Sequence, residues 1–265
     1  MSIPAARPGA AAFVTGASSG IGAALARSLA ERGHDVVLVA RRRDRLEKLA
    51  AQLREKHRVR AEVLVSDLAD PADRDRMLAE LNGLGLELDV VVLCAGFGMV
   101  GPFLENRTDR VLTMIRTNVE ATVHLARTLT PPMVDRRRGA VLFVSSMAGN
   151  QPMPNFAPYA ATKAAVSSLG EALHSELAPH GITVSVLAPS VVGTEFSEVA
   201  EAWQQEKRQP KFMTASPEQC AEAGIAALEK GRRKVVPLPQ ARVFAWVSQY
   251  MPKAIWLPVC RKMLS

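Results

Sequence analysis

The sequence predicts an α/β fold: a doubly wound parallel sheet of about seven strands flanked by helices, in a single domain. Three observations predict it. Seven short apolar runs are spaced along the chain with helical patterns between them. The first run passes through a glycine turn, Thr15-Gly16-Ala17-Ser18-Ser19-Gly20-Ile21-Gly22, straight into an Ala/Leu-rich helix. No internal repeat or low-complexity linker interrupts the series.

Composition agrees. The 265 residues are 48% hydrophobic and 22% charged, which is enough chain for one sizeable core. The net charge is +7 and the pI about 9.7. Yet Arg41–Arg43, Arg136–Arg138, Lys207–Arg208 and Arg232–Lys234 are scattered, with no aromatics interleaved. That pattern describes a solvated basic surface, and no nucleic-acid partner is expected. Cys94, Cys220 and Cys260 form no CxxC pair and the histidines lie apart, so neither a metal site nor a disulfide framework is expected. No charged start leads into a long apolar run, and nowhere do about 18 apolar residues follow one another. The expected compartment is the cytoplasm.

The first strand is Ala10–Thr15; the helix after the glycine turn runs to Arg32, with Gly33 as its stop signal, and Val36–Ala40 is the second strand. Strand, glycine turn, helix and strand within about 30 residues is the context a dinucleotide site requires. Glycines let the main chain approach a pyrophosphate, and the helix start offers free N–H donors and a positive dipole end. The spacing, Gly16, Gly20 and Gly22, is G-x-x-x-G-x-G rather than the commoner G-x-G-x-x-G. An NAD site wants an acid at the end of the second strand. Here Ala40 is followed by Arg41-Arg42-Arg43, which suits a 2′-phosphate and hence NADP(H). Arg41 is the first candidate, Arg43 fits an exposed helix turn, and Arg42 is open between the two roles.

A third strand, Ala61–Ser66, ends at Asp67-Leu68, where the acid serves either the adenine amino group or the cap of a helix starting near Pro71. Leu88–Leu93 is the fourth strand, followed by the small turn Cys94-Ala95-Gly96. Thr108–Thr130 reads as one long helix stopped by Pro131-Pro132, with Asn118 inside it, either facing solvent or holding a local bulge and a water. Ala140–Val144, the fifth strand, delivers Ser145-Ser146. A helix then opens at Tyr159 and carries Lys163 four residues on, on the same face. Ile182–Leu187 and Val235–Leu238 complete the strands. The stretch between the last two is mixed; about 195–215 reads as a mobile substrate lid, and Ser216-Pro217-Glu218 opens a further helix.

With these residues in place, the chain resembles the short-chain dehydrogenase/reductase family from about Ala10 to Leu238. The likeness rests on the TGASSGIG turn, Asp67, the Ala95-Gly96 turn, Asn118, Ser146, Tyr159-x-x-x-Lys163 and the Pro189–Thr194 segment, all in family order. It implies a Rossmann fold, a homodimer or homotetramer, and a catalytic tetrad of Asn118, Ser146, Tyr159 and Lys163. Ser146 is preferred to Ser145 because it precedes Tyr159 by the usual family separation. The resemblance further implies that Gly16, Ser18, Ser19, Gly20, Ile21, Gly22 and Arg41 hold the diphosphate and adenosine end, with Asp67 and Leu68 at the adenine. Cys94, Ala95 and Gly96 would lie along the ribose, and Val192 and Thr194 at the nicotinamide. Two departures stand out: Leu93-Cys94 replaces the usual Asn-Asn, and Pro189-Ser190 the usual Pro-Gly.

The implied reaction is NADP(H)-dependent interconversion of a carbonyl and a secondary alcohol. A free phenol of pKa ~10 is about 4 kcal/mol short of a proton exchanger poised at pH 7. Before desolvation is counted, a lysine charge ~4 Å away at an effective dielectric of ~20 supplies a similar amount. Tyr159 is thus the expected acid or base, Lys163 its activator, Ser146 the partner of the developing oxyanion, and Asn118 the seat of a relay water. A catalytically retired scaffold or redox sensor is the alternative. Phe97, Met99, Phe103, Met147, Met153, Phe156, Phe196, Trp203, Phe212 and Met213 point to a lipophilic substrate.

Residues 1–240 are expected to form the catalytic domain and 241–265 an apolar, basic extension that Pro252 and Pro258 break. Three roles stand open for it: packing on the core or a second subunit, a peripheral membrane contact, or a pocket lid.

Overall fold

The computed structural model describes residues 3–193 and 214–264. Its main sheet contains β1 (Ala10–Thr15), β2 (Asp35–Ala40), β3 (Ala61–Val65), β4 (Glu87–Leu93), β5 (Gly139–Val144) and β6 (Ile182–Leu187), with a short last strand. Between β6 and that strand lie β7 (Val191–Val192) and β8 (Thr214–Ala215), a small parallel pair the sequence pattern did not disclose. The last strand, β9, is Lys234–Val235. It is shorter than the expected Val235–Leu238 because Pro237 cannot donate to a ladder and Leu238 already caps the next helix.

All pairings in the main sheet are parallel, in the order β3-β2-β1-β4-β5-β6-β9. The chain winds outward one way from β1 through β2 and β3, then the other way through β4 and beyond. The order therefore reverses between β1 and β4, and a crevice opens at their carboxyl ends.

Alternation along the strands builds two cores. Ala12 and Val14 of β1 face one layer, Ala11 and Phe13 the other. The first layer is covered by α1 (Gly20–Glu31), α2 (Arg43–His57) and α8 (Pro217–Glu229). The second lies under α3 (Pro71–Gly83), α5 (Ala121–Leu129), α6 (Pro131–Asp135) and α7 (Ala157–Leu177). Phe143 is fully buried in this second layer, and its truncation to Ala would cost about 3–5 kcal/mol. Gly170 lets α7 lie down on the sheet, since a Cβ there would stand 2.6 Å from a Val186 methyl.

The long helix expected over Thr108–Thr130 is three pieces: α4 (Thr108–Ile115), a π turn at Arg116–Glu120, and α5. The π turn centres on Asn118, so the bulge alternative holds and the solvent-facing one does not: Asn118 is buried. Pro131 and Pro132 end α5 and start α6, where a missing N–H costs nothing. At the carboxyl end, Pro252 separates α9 (Pro239–Tyr250) from α10 (Lys253–Leu264). Pro258, expected to break the segment, instead lies inside α10, at the expense of one main-chain bond.

Candidate active site

The crevice at the sheet's switch point is tied together by Thr15, which the sequence reading had passed over. Its Oγ1 accepts the N–H groups of Cys94 (2.9 Å) and Ala95 (3.0 Å) and donates to the Val92 carbonyl (3.3 Å). One hydroxyl at the end of β1 thus holds the turn leaving β4.

The glycine turn fits tightly beneath. Gly16 has φ +70°, and a Cβ there would lie 3.0 Å from the Ala95 Cα; a Cβ on Gly22 would lie 2.3 Å from the Gly16 carbonyl oxygen. Ser19 caps α1 in an extended conformation without a side-chain cap bond, and no acid occupies the first turn. The positive end of this 12-residue helix is thus left without a carboxylate or a side-chain cap. Ser18, Gly20 and Ile21 lie on the same turn.

Among the three arginines, Arg42 is the one that folds back over this turn. Its Nη2 donates to Ser19 Oγ at 2.8 Å and to Ser18 Oγ at 3.1 Å, and Nε to Ser18 Oγ at 3.2 Å. Arg41, the first candidate, is exposed, and Arg43 reaches Glu47 along α2. Arg42 stands at the N-cap of α2 with extended backbone, and its side chain reaches the turn between β1 and α1.

At the adenine side, Asp67 does not cap α3. That role belongs to Asp70, whose carboxylate accepts the Ala72 N–H at 2.9 Å. Asp67 Oδ1 instead accepts Ala69 N–H at 3.0 Å, shaping the turn after β3. The buried Arg74 fixes this loop by donating to the Leu68 carbonyl at 2.7 Å while pairing with Glu120 of the π turn.

The tetrad residues converge beyond β4 and β5. Tyr159 and Lys163 are buried on the inner face of α7. Ser146 hydrogen-bonds the Tyr159 phenol, and its Oγ also accepts the Ala148 N–H at 3.1 Å. Ser145 turns away, donating to the Lys163 carbonyl at 2.8 Å and sharing a 2.7 Å bond with Ser167. Of the two serines, only Ser146 faces the phenol. Lys163 Nζ donates to the Val144 carbonyl at 3.0 Å and lies 5.9 Å from the Tyr159 ring centroid.

Asn118 has its amide engaged by protein. Nδ2 donates to the Phe97 carbonyl (2.9 Å) and to Thr162 Oγ1 (3.0 Å), while Oδ1 accepts the Phe97 N–H (3.1 Å). Thr162 in turn donates to the Tyr159 carbonyl at 2.8 Å, so Asn118 is bound into the helix that carries Tyr159. The side chain clamps the Phe97 main chain to the helix that carries Tyr159. Gly96 must be glycine beside it, since a Cβ would stand 2.8 Å from Asn118 Oδ1 and 3.4 Å from Lys163 Nζ.

Burial sets the resting protonation. It pushes the Tyr159 phenol up to about 12, partly offset by the Ser146 bond, and brings Lys163 down to about 8. Desolvation, which the charge argument from sequence leaves out, acts on both groups: it raises the phenol and lowers the ammonium. Burial also raises the Cys94 thiol to about 12, leaving it inert beside them.

Apolar side chains surround the phenol. Tyr159 packs with buried Met99 and Met114, flanked by Phe97, Val111, Ala148 and Phe156. Met114 was not foreseen, because only the turn of α4 toward α7 reveals it. Met147 packs instead with Ala188, Val236, Ala241 and Ala245, and Phe103 is exposed. Val192 is half-buried against the first core layer. Thr194, Phe196, Trp203, Phe212 and Met213 lie outside the described residues, as does the lid segment apart from β8. Among the described residues no three metal-binding side chains come together, and no helix is long and apolar enough to cross a membrane.

A doubly wound sheet with a glycine turn at its switch point and a Ser-Tyr-Lys cluster alongside defines a nucleotide-dependent oxidoreductase. The chain belongs to the short-chain dehydrogenase family, whose sequence profile matches residues 10–205. It is 32% identical over 252 residues to a very-long-chain 3-oxoacyl-CoA reductase of Anas platyrhynchos, covering 92% of this chain and 76% of the relative. Its fold superposes with TM-score 0.81 and 32% identity on a short-chain dehydrogenase from Sphingobium yanoikuyae in complex with NADPH, covering 89% of this chain and 92% of that one. A bulky-bulky ketone specific alcohol dehydrogenase from Comamonas testosteroni gives TM-score 0.76 at 26% identity, covering 94% and 99%.

Proposed function

We propose that this enzyme uses NADP(H) to interconvert a lipophilic carbonyl compound and its secondary alcohol, with Tyr159 as the proton donor or acceptor. The observation that carries the proposal is the buried phenol of Tyr159, bonded to Ser146 and enclosed by Met99, Met114, Phe97 and Phe156. The cofactor, when bound, supplies or takes the hydride. Gly16, Ser18, Ser19 and Ile21 hold its diphosphate, Arg42 pairs with a 2′-phosphate in a planar fork, and Asp67 accepts from the adenine.

In reduction, the raised phenol pKa keeps Tyr159 protonated at neutral pH, the state needed to donate to a carbonyl oxygen. Ser146 donates to that oxygen as charge grows on it. Lys163, charged at neutral pH, stabilises the phenolate left behind. The apolar wall excludes water and strengthens each of these interactions.

The same wall supports an apolar substrate, and the Anas platyrhynchos relative's name favours a 3-oxoacyl thioester over other ketones. A panel of 3-oxoacyl thioesters, steroid-like ketones, bulky ketones and sugars, assayed with NADPH and NADH, tests the reading. The expected ranking puts the long acyl chain first and NADPH well above NADH. Tyr159→Phe should bind NADPH normally and lose at least about a thousandfold in turnover, the usual worth of a proton-transfer group. Near-normal turnover in that variant, or a preference for sugars, would sink the proposal. Self-association belongs to the same reading, since Leu112, Ile115 and Val123 are exposed on α4 and α5, and sizing of the purified protein checks it.

A further inference from the structure

Helix α9 is built the wrong way round for a helix on a protein surface. It packs inward through a narrow face of small residues, Ala241, Ala245 and Ser248, which are buried. Its large apolar side chains point the other way: Val243, Trp246, Val247 and Tyr250 are 65%, 65%, 42% and 68% exposed. Their spacing of i, i+3, i+4, i+7 stacks them in one stripe along the helix. Trp246 and Tyr250 touch each other on it, with ring centroids 5.5 Å apart. In α10, Ile255 and Val259 are likewise exposed, one turn apart, while Trp256 and Cys260 face inward. A stripe of this kind is expensive to leave in water.

Charge selects what covers it. From Pro239 to Ser265 the chain carries Arg242, Lys253, Arg261 and Lys262 and not one Asp or Glu. A second copy docking face to face would bring like charges together. An anionic bilayer surface satisfies both features: aromatic and aliphatic side chains enter the headgroup boundary while the basic ones meet lipid phosphates and carboxylates.

We infer that α9 and α10 form a docking surface for an anionic phospholipid membrane, on which the enzyme rests without spanning it. The surface is coupled to the active site. Trp256 Nε1 donates to the Pro152 carbonyl at 2.9 Å, and Gln151 donates to the Ser248 carbonyl. Met147, next to Ser146, packs against Ala241 and Ala245. The helices that would lie on lipid therefore hold the loop connecting Ser146 to Tyr159. That would place the substrate side of the enzyme near the source of a lipophilic substrate. The docking inference goes beyond the proposed reaction and does not depend on it.

The test is flotation of the full-length protein with phosphatidylcholine vesicles, with and without about one-third phosphatidylserine, at low and high salt. Trp246→Ser/Tyr250→Ser alters only exposed side chains; a melting curve and NADPH binding confirm its fold. The wild type should float with the anionic vesicles at low salt, and about tenfold less with pure phosphatidylcholine, in high salt, or with the double variant. Its tryptophan emission should shift to the blue on anionic vesicles. Absence of flotation by folded protein overturns the inference, as does equal flotation of the double variant. A dimer that the double variant dissolves, with no flotation, would assign the stripe to a second copy instead. Each readout is binding, so failure of the proposed reaction would leave this result standing.

Discussion

Asn118 and Phe97 exchange two hydrogen bonds: the asparagine amide donates to the Phe97 carbonyl at 2.9 Å and accepts its N–H at 3.1 Å. The pair stitches the π turn between α4 and α5 to the loop that follows β4. Asn118→Leu would leave a main-chain donor and acceptor without partners in a water-poor setting. The expected cost is about 2–6 kcal/mol in denaturant unfolding, at about 1–3 kcal/mol per unsatisfied group. Because Thr162 links the same amide to Tyr159, turnover should fall as well. A stability loss with unchanged kcat would separate the clamp from catalysis.

Arg42 over Ser18 and Ser19 makes a prediction about cofactor choice. Arg42→Gln should raise the Kd for NADPH about 10–100-fold, the worth of a charge-assisted bond, and leave NADH binding nearly unchanged. Arg41→Gln should do far less, because Arg41 is exposed. Isothermal titration of both variants with both cofactors decides between them. Equal effects would show that both arginines meet the 2′-phosphate.

The sheet was legible because its strands are buried on both faces and therefore read as mostly apolar runs, interrupted only by Asp89 in β4 and by Thr183 and Ser185 in β6: β1, β4, β5 and β6 were each placed to within a residue. Tyr159, Lys163 and Asn118 could be found from order and spacing along the chain. Contacts between distant segments could not. Thr15 bonding Cys94, Arg74 bonding Leu68, and Met114 packing on Tyr159 all depend on how strands and helices stack. Which arginine bonds Ser18 and Ser19 depends on a single residue at a helix cap, which pattern along the chain does not resolve. Helix α10 passing through Pro258 shows the reverse case, in which a strong local signal is overruled by packing of Trp256 and Cys260.

Gly149 is held close to the catalytic helix. A Cβ there would lie 2.6 Å from the carbonyl carbon of Lys163, and main chain cannot step aside as a flexible side chain can. Gly149→Ala should push the Met147–Asn150 turn off α7, costing about 1–3 kcal/mol and displacing Ser146 from Tyr159. Gly83→Ala is the control: nothing lies within 4 Å of that site, and stability should hold or rise slightly. Thermal melts and kcat of the two variants check the contrast. A Gly149→Ala protein with wild-type kcat would show that the turn tolerates displacement.

Lys163 predicts two opposite pH trends. Folding lowers its pKa from 10.5 to about 8 by burial. Between those values the unfolded chain holds a proton that the folded chain has released, so unfolding takes up a proton and stability rises with pH. The cost of burying the charge is fully present below about 8 and is relieved as pH climbs toward 10.5. Chemistry runs the other way in reduction: the charge that stabilises the Tyr159 phenolate disappears above about 8, so kcat for carbonyl reduction should fall there. Alcohol oxidation needs the phenolate, whose pKa is raised to about 12, and should keep rising into alkali. Melting temperature of the cofactor-free protein from pH 7 to 10, with Lys163→Met as reference, isolates the stability trend. The wild type should gain on the variant as pH rises. A constant difference between the two would mean that Lys163 keeps its charge throughout.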